Sequence, residues 1–298
     1  DILSGKDIVF RSATGTGKTL AYLLPLAVLY AGDLETAAAL PGPAILILAP
    51  SFELCAQIRD EADAILPANA DGKKPSILLT GDANIARQIE RLKKIKPLIA
   101  VGTAGRIIQL ARMGKLKLRG LKALVMDEAD RLTADELDTI TGDLLALLPK
   151  ERQTIACSAT ISPKALDRLK PRMKEDAIRR ELDDVEVLRG HIEHWAIYCE
   201  TRRKIGLLRS FYHALKPQRL LVFTDRNAQV GNIVGQLVHH GLPAGGLFGK
   251  MEKMDRKSAL AAFRSGKKSI LVTSDLSARG LDIPELDCIV ELDVPQTP

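Results

Sequence analysis

Residues 7–19 read DIVFRSATGTGKT. A short apolar run, Asp7 to Arg11, gives way to a loop with two glycines, and an apolar amphipathic stretch follows from Leu20. Strand, glycine loop and helix in that order are the setting of a phosphate-binding loop. Glycines let backbone N–H groups turn toward phosphate oxygens, and a helix N-terminus adds positive potential. Lys18 supplies a point charge and Thr19 a hydroxyl for Mg²⁺. The candidate nucleotide cradle is therefore Ser12, Ala13, Thr14, Gly15, Thr16, Gly17, Lys18 and Thr19. Its first position departs from the strict pattern, with Ser12 in place of glycine. A glycine-rich turn capping an ordinary helix explains the glycines but not the Gly-Lys-Thr at the helix start.

Outward from this loop, short aliphatic runs alternate with longer amphipathic segments almost from end to end, the rhythm of βαβ units with a parallel sheet. Strands are predicted at Asp7 to Arg11, Ala44 to Ala49, Ser76 to Thr80, Leu98 to Val101, Lys122 to Asp127 and Gln153 to Ser158. A charged helix is expected around Lys164 to Arg180. A second series comprises Ile192 to Cys199, Arg219 to Thr224, Ala244 to Phe248, Ser269 to Ser274 and Cys288 to Leu292. Two open α/β domains are expected, over residues 1–183 and 191–298, with 184–190 as linker. Ligands of such sheets sit at the carboxyl ends of the strands.

The composition agrees with two real cores: 298 residues, 46% hydrophobic and 27% charged, which also argues against wholesale disorder. The longest apolar stretch, Leu20 to Ala31, is interrupted by Pro25 and too short to span a bilayer, so no membrane partner is expected. Cys55, Cys157, Cys199 and Cys288 form no CxxC pair, which suggests neither a zinc site nor a disulfide framework. Reduced thiols point to an intracellular reducing compartment, with cytoplasm, nucleus and organelle all open. A net charge of +6 suits a polyanionic partner, and an aromatic content of only 4% favours a surface that grips phosphates over one that stacks bases.

Residues 122–130, KALVMDEAD, end an apolar run in three carboxylates. Their repulsion calls for a bound cation, a basic neighbour or solvation at a helix start. With the loop in place a cation answers: Asp127, at the end of a buried strand beside the loop, would hold Mg²⁺ through water while Glu128 orients or deprotonates the attacking water. A capped helix start remains an alternative for Glu128 and Asp130.

The DEAD of residues 127–130 is the signature of the DEAD-box RNA helicases, and the chain resembles that family in order along nearly its whole length. Residues 49–54, APSFEL, are similar to its PTREL element, and Thr103-Ala104-Gly105-Arg106 to TPGR. Ser158-Ala159-Thr160 matches SAT, and Leu221-Val222-Phe223 is similar to motif IV. Arg256 corresponds to the Arg of QxxR, and Ser274-Asp275 with residues 278–282, ARGLD, to motif V. The resemblance implies two tandem RecA-like parallel-sheet domains, joined by a short linker, that bind ATP and Mg²⁺. It implies that Ser158 and Thr160 couple nucleotide state to domain closure through Asp130, and that Asp282 approaches the ribose. Glu53, Thr103, Gly105, Arg106, Gly249, Arg256 and Ser274 would line the path of RNA, the implied partner of a monomeric enzyme, at phosphates and 2′-hydroxyls.

Departures stand at Phe52 for the Arg of PTREL, Ala104 for Pro, Asp82 for a second Gly, and Lys253 for Gln. Phe52 and Asp82 lower the positive charge expected on the RNA face. The family's Q motif lies upstream of the strand at Asp7, and its HRxGRxGR element, with the arginine finger, follows the position of Pro298. A fragment of a longer protein is expected. Three readings compete: an ATP-dependent RNA helicase core, an ATP-gated RNA clamp or assembly factor with little unwinding, and a P-loop nucleotide kinase or DNA translocase. The second α/β domain with ARGLD disfavours the kinase.

Overall fold

The computed structural model describes residues 1–13, 15–30, 41–68, 72, 74–182, 192–248, 251, 253–274, 283 and 285–293. Thr14, the linker 184–190, Gly249, Asp275 and the 278–282 element with Asp282 lie outside the described residues.

Two compact units emerge, Asp1–Glu193 and His194–Pro298. In the first, the strands are β1 (Ile8–Arg11), β2 (Ile45–Leu48), β3 (Ser76–Leu79), β4 (Ile99–Gly102), β5 (Ala123–Asp127), β6 (Gln153–Ser158) and β7 (Ile178–Glu181). They form one sheet in the order β3-β4-β2-β5-β6-β1-β7, parallel at every pairing. Helices cross between them: α1 (Lys18–Tyr30), α2 (Phe52–Ile65), α3 (Ile85–Ile95), α4 (Ala104–Arg112), α5 (Ala129–Leu132), α6 (Asp135–Leu145) and α7 (Pro163–Leu169).

Alternate strand residues enter opposite apolar clusters. Leu46, Leu48, Leu124 and Met126 belong to one, while Ile45, Ile47, Val125 and Ile155 belong to the other. Side chains alternate across a strand, so a sheet covered on both faces needs the continuous apolar runs this sequence has. No helix among the described residues is long and apolar enough to cross a membrane.

The second unit holds β8 (Leu220–Thr224), β9 (Ala244–Leu247), β10 (Ile270–Ser274) and β11 (Cys288–Glu291) in the order β11-β8-β10-β9, again parallel. Helices α8 (Lys204–Leu215), α9 (Asn227–His239) and α10 (Lys253–Arg264) accompany them. Asp293, just past β11, accepts from Lys204 Nζ at 2.7 Å and Thr224 Oγ1 at 2.8 Å. Partial burial pushes its carboxyl up, but these donors win and hold it at about 2.

Two expectations fail. The charged helix ends at Leu169, and Ile178–Glu181 instead pairs in parallel with β1 as the sheet's edge. Its charges fit an edge strand, where Arg11 and Glu181 pair at 3.4 Å, and charge on an edge opposes further strand addition. Residues 192–199 form no strand. Their alternating pattern finds no ladder partner among the described residues, and Trp195 and Ile197 stay 67% and 57% exposed.

Candidate nucleotide-binding site

The loop between β1 and α1 is shaped by two residues in the left-handed region, Gly15 at φ 78° and Gly17 at φ 85°. Added Cβ atoms would meet nothing within 4 Å, so the requirement for glycine is conformational. Ser12 N–H donates to Ser158 O at 3.1 Å, tying the loop to the end of β6. Thr16 Oγ1 donates to Ala13 O at 2.8 Å and is 2.5 Å from Ser12 Oγ. The departure from glycine at position 12 thus has a physical role: the buried hydroxyl braces the loop. Lys18 Nζ donates to Ser12 O at 2.9 Å and Ala13 O at 2.6 Å, which ties the ammonium to the loop backbone.

Asp127 closes β5 and is 3% exposed. Its Oδ2 accepts from Tyr22 Oη at 2.9 Å, and its Oδ1 from Glu128 N at 2.9 Å and Cys157 Sγ at 3.4 Å. Burial pushes the Asp127 carboxyl up, opposed by the Tyr22, Cys157 and Glu128 donors and by the charge of Lys18. Strand β6 separates β5 from β1, so Asp127 is joined to the loop through Tyr22 of α1. The phenol, pushed well up chiefly by burial, also hydrogen-bonds the Thr19 side chain. Tyr22 and Cys157 escape a motif-based reading; the only sequence signal is a hydroxyl one helical turn beyond Thr19.

Tyr22→Phe should therefore lower the stability of the nucleotide-free protein by about 1–3 kcal/mol, since a buried carboxylate oxygen loses its donor. Mg·ADP should recover part of that loss, because a cation held by Asp127 would supply the partner that the carboxylate has lost. Thermal unfolding with and without Mg·ADP checks this, and an unchanged midpoint would remove Tyr22 from the site.

Glu128 adopts φ 52° and ψ 53° as it caps α5, and Arg131 Nη1 lies 3.8 Å from its Oε2. Asp130 gathers three donors: Ser158 Oγ at 2.5 Å, Thr160 Oγ1 at 2.7 Å and Arg131 N at 2.9 Å. The segment leaving β6 is thereby fixed to the segment leaving β5.

Of the residues read as an RNA path, Glu53 stands in the first turn of α2, half-buried beside Phe52. Thr103 caps α4 and Gly105 lies on it, with space for a Cβ limited by Ile140 Cδ1 at 3.3 Å. Arg106 is turned inward: Nη1 donates to Ala83 O at 3.0 Å and Gln88 Oε1 at 2.9 Å, and Nη2 to Gly81 O at 2.9 Å. It braces the Gly81–Asn84 turn, where Asp82 is exposed. In the second unit, Ser274 ends β10, buried, with Oγ 3.5 Å from Asn227 Oδ1, and Arg256 is half-buried on α10.

Residues 1–169 match the family model "DEAD/DEAH box helicase", and residues 203–298 match "Helicase conserved C-terminal domain". The chain belongs to the DEAD/DEAH box helicase family. It is 34% identical over 300 residues to the DEAD-box ATP-dependent RNA helicase CshC of Bacillus cereus, covering 99% of this chain and 73% of that protein. To YfmL of Bacillus subtilis, a probable ATP-dependent RNA helicase, it is 32% identical over 302 residues, with 99% and 75% covered. Among solved structures it is similar to S. cerevisiae Dbp5 bound to RNA and ADP BeF3, at a TM-score of 0.82 and 26% identity over 97% of this chain and 71% of that one. The expected pair of RecA-like parallel-sheet domains and the helicase class both stand.

Proposed function

We propose that this chain is the ATP-hydrolysing core of an RNA helicase, coupling nucleotide binding and turnover to a grip on the RNA backbone and to local duplex separation. The observation that carries the reading is the convergence of the P-loop, Asp127, Glu128 and the Ser158–Asp130–Thr160 junction on the carboxyl ends of β1, β5 and β6. Lys18 and the loop N–H groups hold phosphates. The donor set of Thr19 hydroxyl and buried Asp127 carboxylate fits a hard cation. Bound there with ATP, Mg²⁺ would neutralise charge on the phosphate oxygens. Glu128 orients or deprotonates water, and the Asp130 junction passes a change at the phosphates to the segment beyond β6.

Glu53, Thr103, Gly105, Gly249, Arg256 and Ser274 contact RNA at its backbone, and Arg106 contributes by holding the Gly81–Asn84 turn. By the family resemblance, Asp282 would approach the ribose. The reading includes a monomer working away from membranes in a reducing compartment. The clamp alternative rests on exposed Asp82 and on Phe52, where the expected RNA face has fewer cations than the family pattern.

In the full-length protein, ATP turnover should rise with RNA and not with DNA of the same sequence. RNA affinity should fall with salt at a logarithmic slope of roughly 0.7 per phosphate contact, and Arg256→Ala should reduce that slope alike for unrelated sequences. Equal stimulation by DNA would sink the RNA assignment, and RNA-stimulated turnover without strand separation would select the clamp.

A further inference from the structure

Between α4 and β5 the chain carries a run of charge that the nucleotide site does not use. From Ala104 to Met126 there are six cationic side chains, Arg106, Arg112, Lys115, Lys117, Arg119 and Lys122, and no carboxylate. Arg106 faces inward, as described. The other five are exposed, and among the described residues none of them has an ion-pair partner. Like charges packed so closely repel, and a solvated surface would ordinarily intersperse anions.

The backbone beneath these cations is pinned. Leu116, Leu118 and Leu121 are 4%, 5% and 1% exposed and belong to the core cluster on one face of the sheet. The N–H groups of Lys115 and Leu116 both donate to Leu110 O, at 2.9 and 3.1 Å, and Leu121 N–H donates to Leu118 O at 3.1 Å. Gly42 packs so tightly on this segment that a Cβ there would lie 1.8 Å from Lys117 O. Burial alternates residue by residue from Lys115 to Gly120, so Lys115, Lys117 and Arg119 project from one side. Their Cα atoms are at most about 7 Å apart in succession. The backbone that presents this ladder is fixed before binding, so only the side chains remain to be ordered.

Its place in the fold separates it from the nucleotide. The segment feeds the amino end of β5, where Lys122 N–H meets Ala44 O at 2.8 Å just before β2. The P-loop, Asp127 and Glu128 sit at the carboxyl ends. Lys96, exposed and just before β4, adds another cation at the same pole.

We propose that Lys115, Lys117 and Arg119, with Arg112 and Lys122 flanking them, form a second RNA-binding surface. It takes the phosphate backbone of a strand or duplex arm that extends beyond the main path. This rests on the RNA reading above. A protein interface would want aromatic or apolar anchors at its centre, and this segment exposes only Met113 as a large apolar side chain, at 48%. Phosphates need only cations.

The test compares two RNAs on the purified protein: a short single strand that fills the main path, and the same strand joined to a duplex arm. In Lys115→Glu/Lys117→Glu/Arg119→Glu, affinity for the armed RNA should fall at least about tenfold at physiological salt, with a salt slope lower by roughly 2–3. Binding of the short strand and of Mg·ADP should stay at parent levels. The triple Gln variant, less disruptive to folding, should show the same pattern at smaller amplitude. Unchanged affinity for the armed RNA would overturn the proposal. So would an equal loss for both RNAs, which would place the ladder on the main path, or polyglutamate binding the ladder more tightly than RNA does. If the parent protein bound neither RNA, the RNA reading itself would fall, an outcome distinct from loss of the arm alone.

Discussion

Lys18→Ala should weaken binding of ATP and ADP by roughly two orders of magnitude or more, since each hydrogen bond to a charged group is worth about 1.5–3 kcal/mol and the ammonium can serve more than one phosphate oxygen. The fold should survive. Lys18 begins α1 and belongs to neither apolar cluster of the first unit, and alanine is a better helix former. The substitution also frees the Ser12 and Ala13 carbonyls that Lys18 holds at 2.9 and 2.6 Å, so part of the loss could come from a looser loop. Thr16→Ala separates the two causes, because it breaks the 2.8 Å latch to Ala13 O and leaves the charge in place. Titration with a fluorescent nucleotide should show a much smaller loss for Thr16→Ala. Equal losses would assign binding to loop geometry, and unchanged affinity in Lys18→Ala would discard the phosphate cradle altogether.

The first unit was legible because its physics is local. A parallel sheet covered on both faces demands runs such as Ile45–Leu48 and Ala123–Asp127, buried at every position, and such runs stand out from amphipathic surroundings. Ile178–Glu181 did not stand out: IRRE lies on the sheet edge, half-exposed or exposed throughout, and its charges read as part of a helix. The segment 192–199 has the opposite lesson, since alternation is present but a strand also needs a neighbour to accept its ladder. In the site, Lys18, Asp127, Glu128, Ser158 and Thr160 were legible as spaced motifs. Tyr22 and Cys157 were not, because their contacts with Asp127 span 105 and 30 residues. Those contacts exist only through the strand order that sets β6 between β5 and β1. Arg106 carries the same point from the other side. Its motif gave no sign of the three acceptors, from Gly81, Ala83 and Gln88, that its guanidinium meets in the fold.

Glu128→Gln should leave Mg·ATP binding near the parent level and slow hydrolysis by about 10²–10⁴-fold, the usual span for loss of a general base. The amide keeps the shape and the capping position, and the backbone N–H that donates to Asp127 Oδ1 at 2.9 Å is untouched. What disappears is the negative charge that attracts a proton from water. The backbone adds a second, independent test. At φ 52° Glu128 occupies the left-handed region, which costs a side-chain-bearing residue roughly 1–2 kcal/mol. A residue chosen for stability would be glycine. Glu128→Gly should therefore match Glu128→Gln in its loss of turnover yet unfold at a temperature equal to or above the parent's, because relief of strain offsets the entropy glycine loses on folding. Strain retained at a position that carries the chemistry is expected where function, and not folding, fixes the residue. Single-turnover hydrolysis and thermal unfolding of the two variants decide the matter. A Glu128→Gln protein that hydrolyses ATP at the parent rate would leave Glu128 as a helix cap and nothing more. A Glu128→Gly protein much less stable than the parent would show that the carboxylate, through Arg131 at 3.8 Å, is held there for the fold.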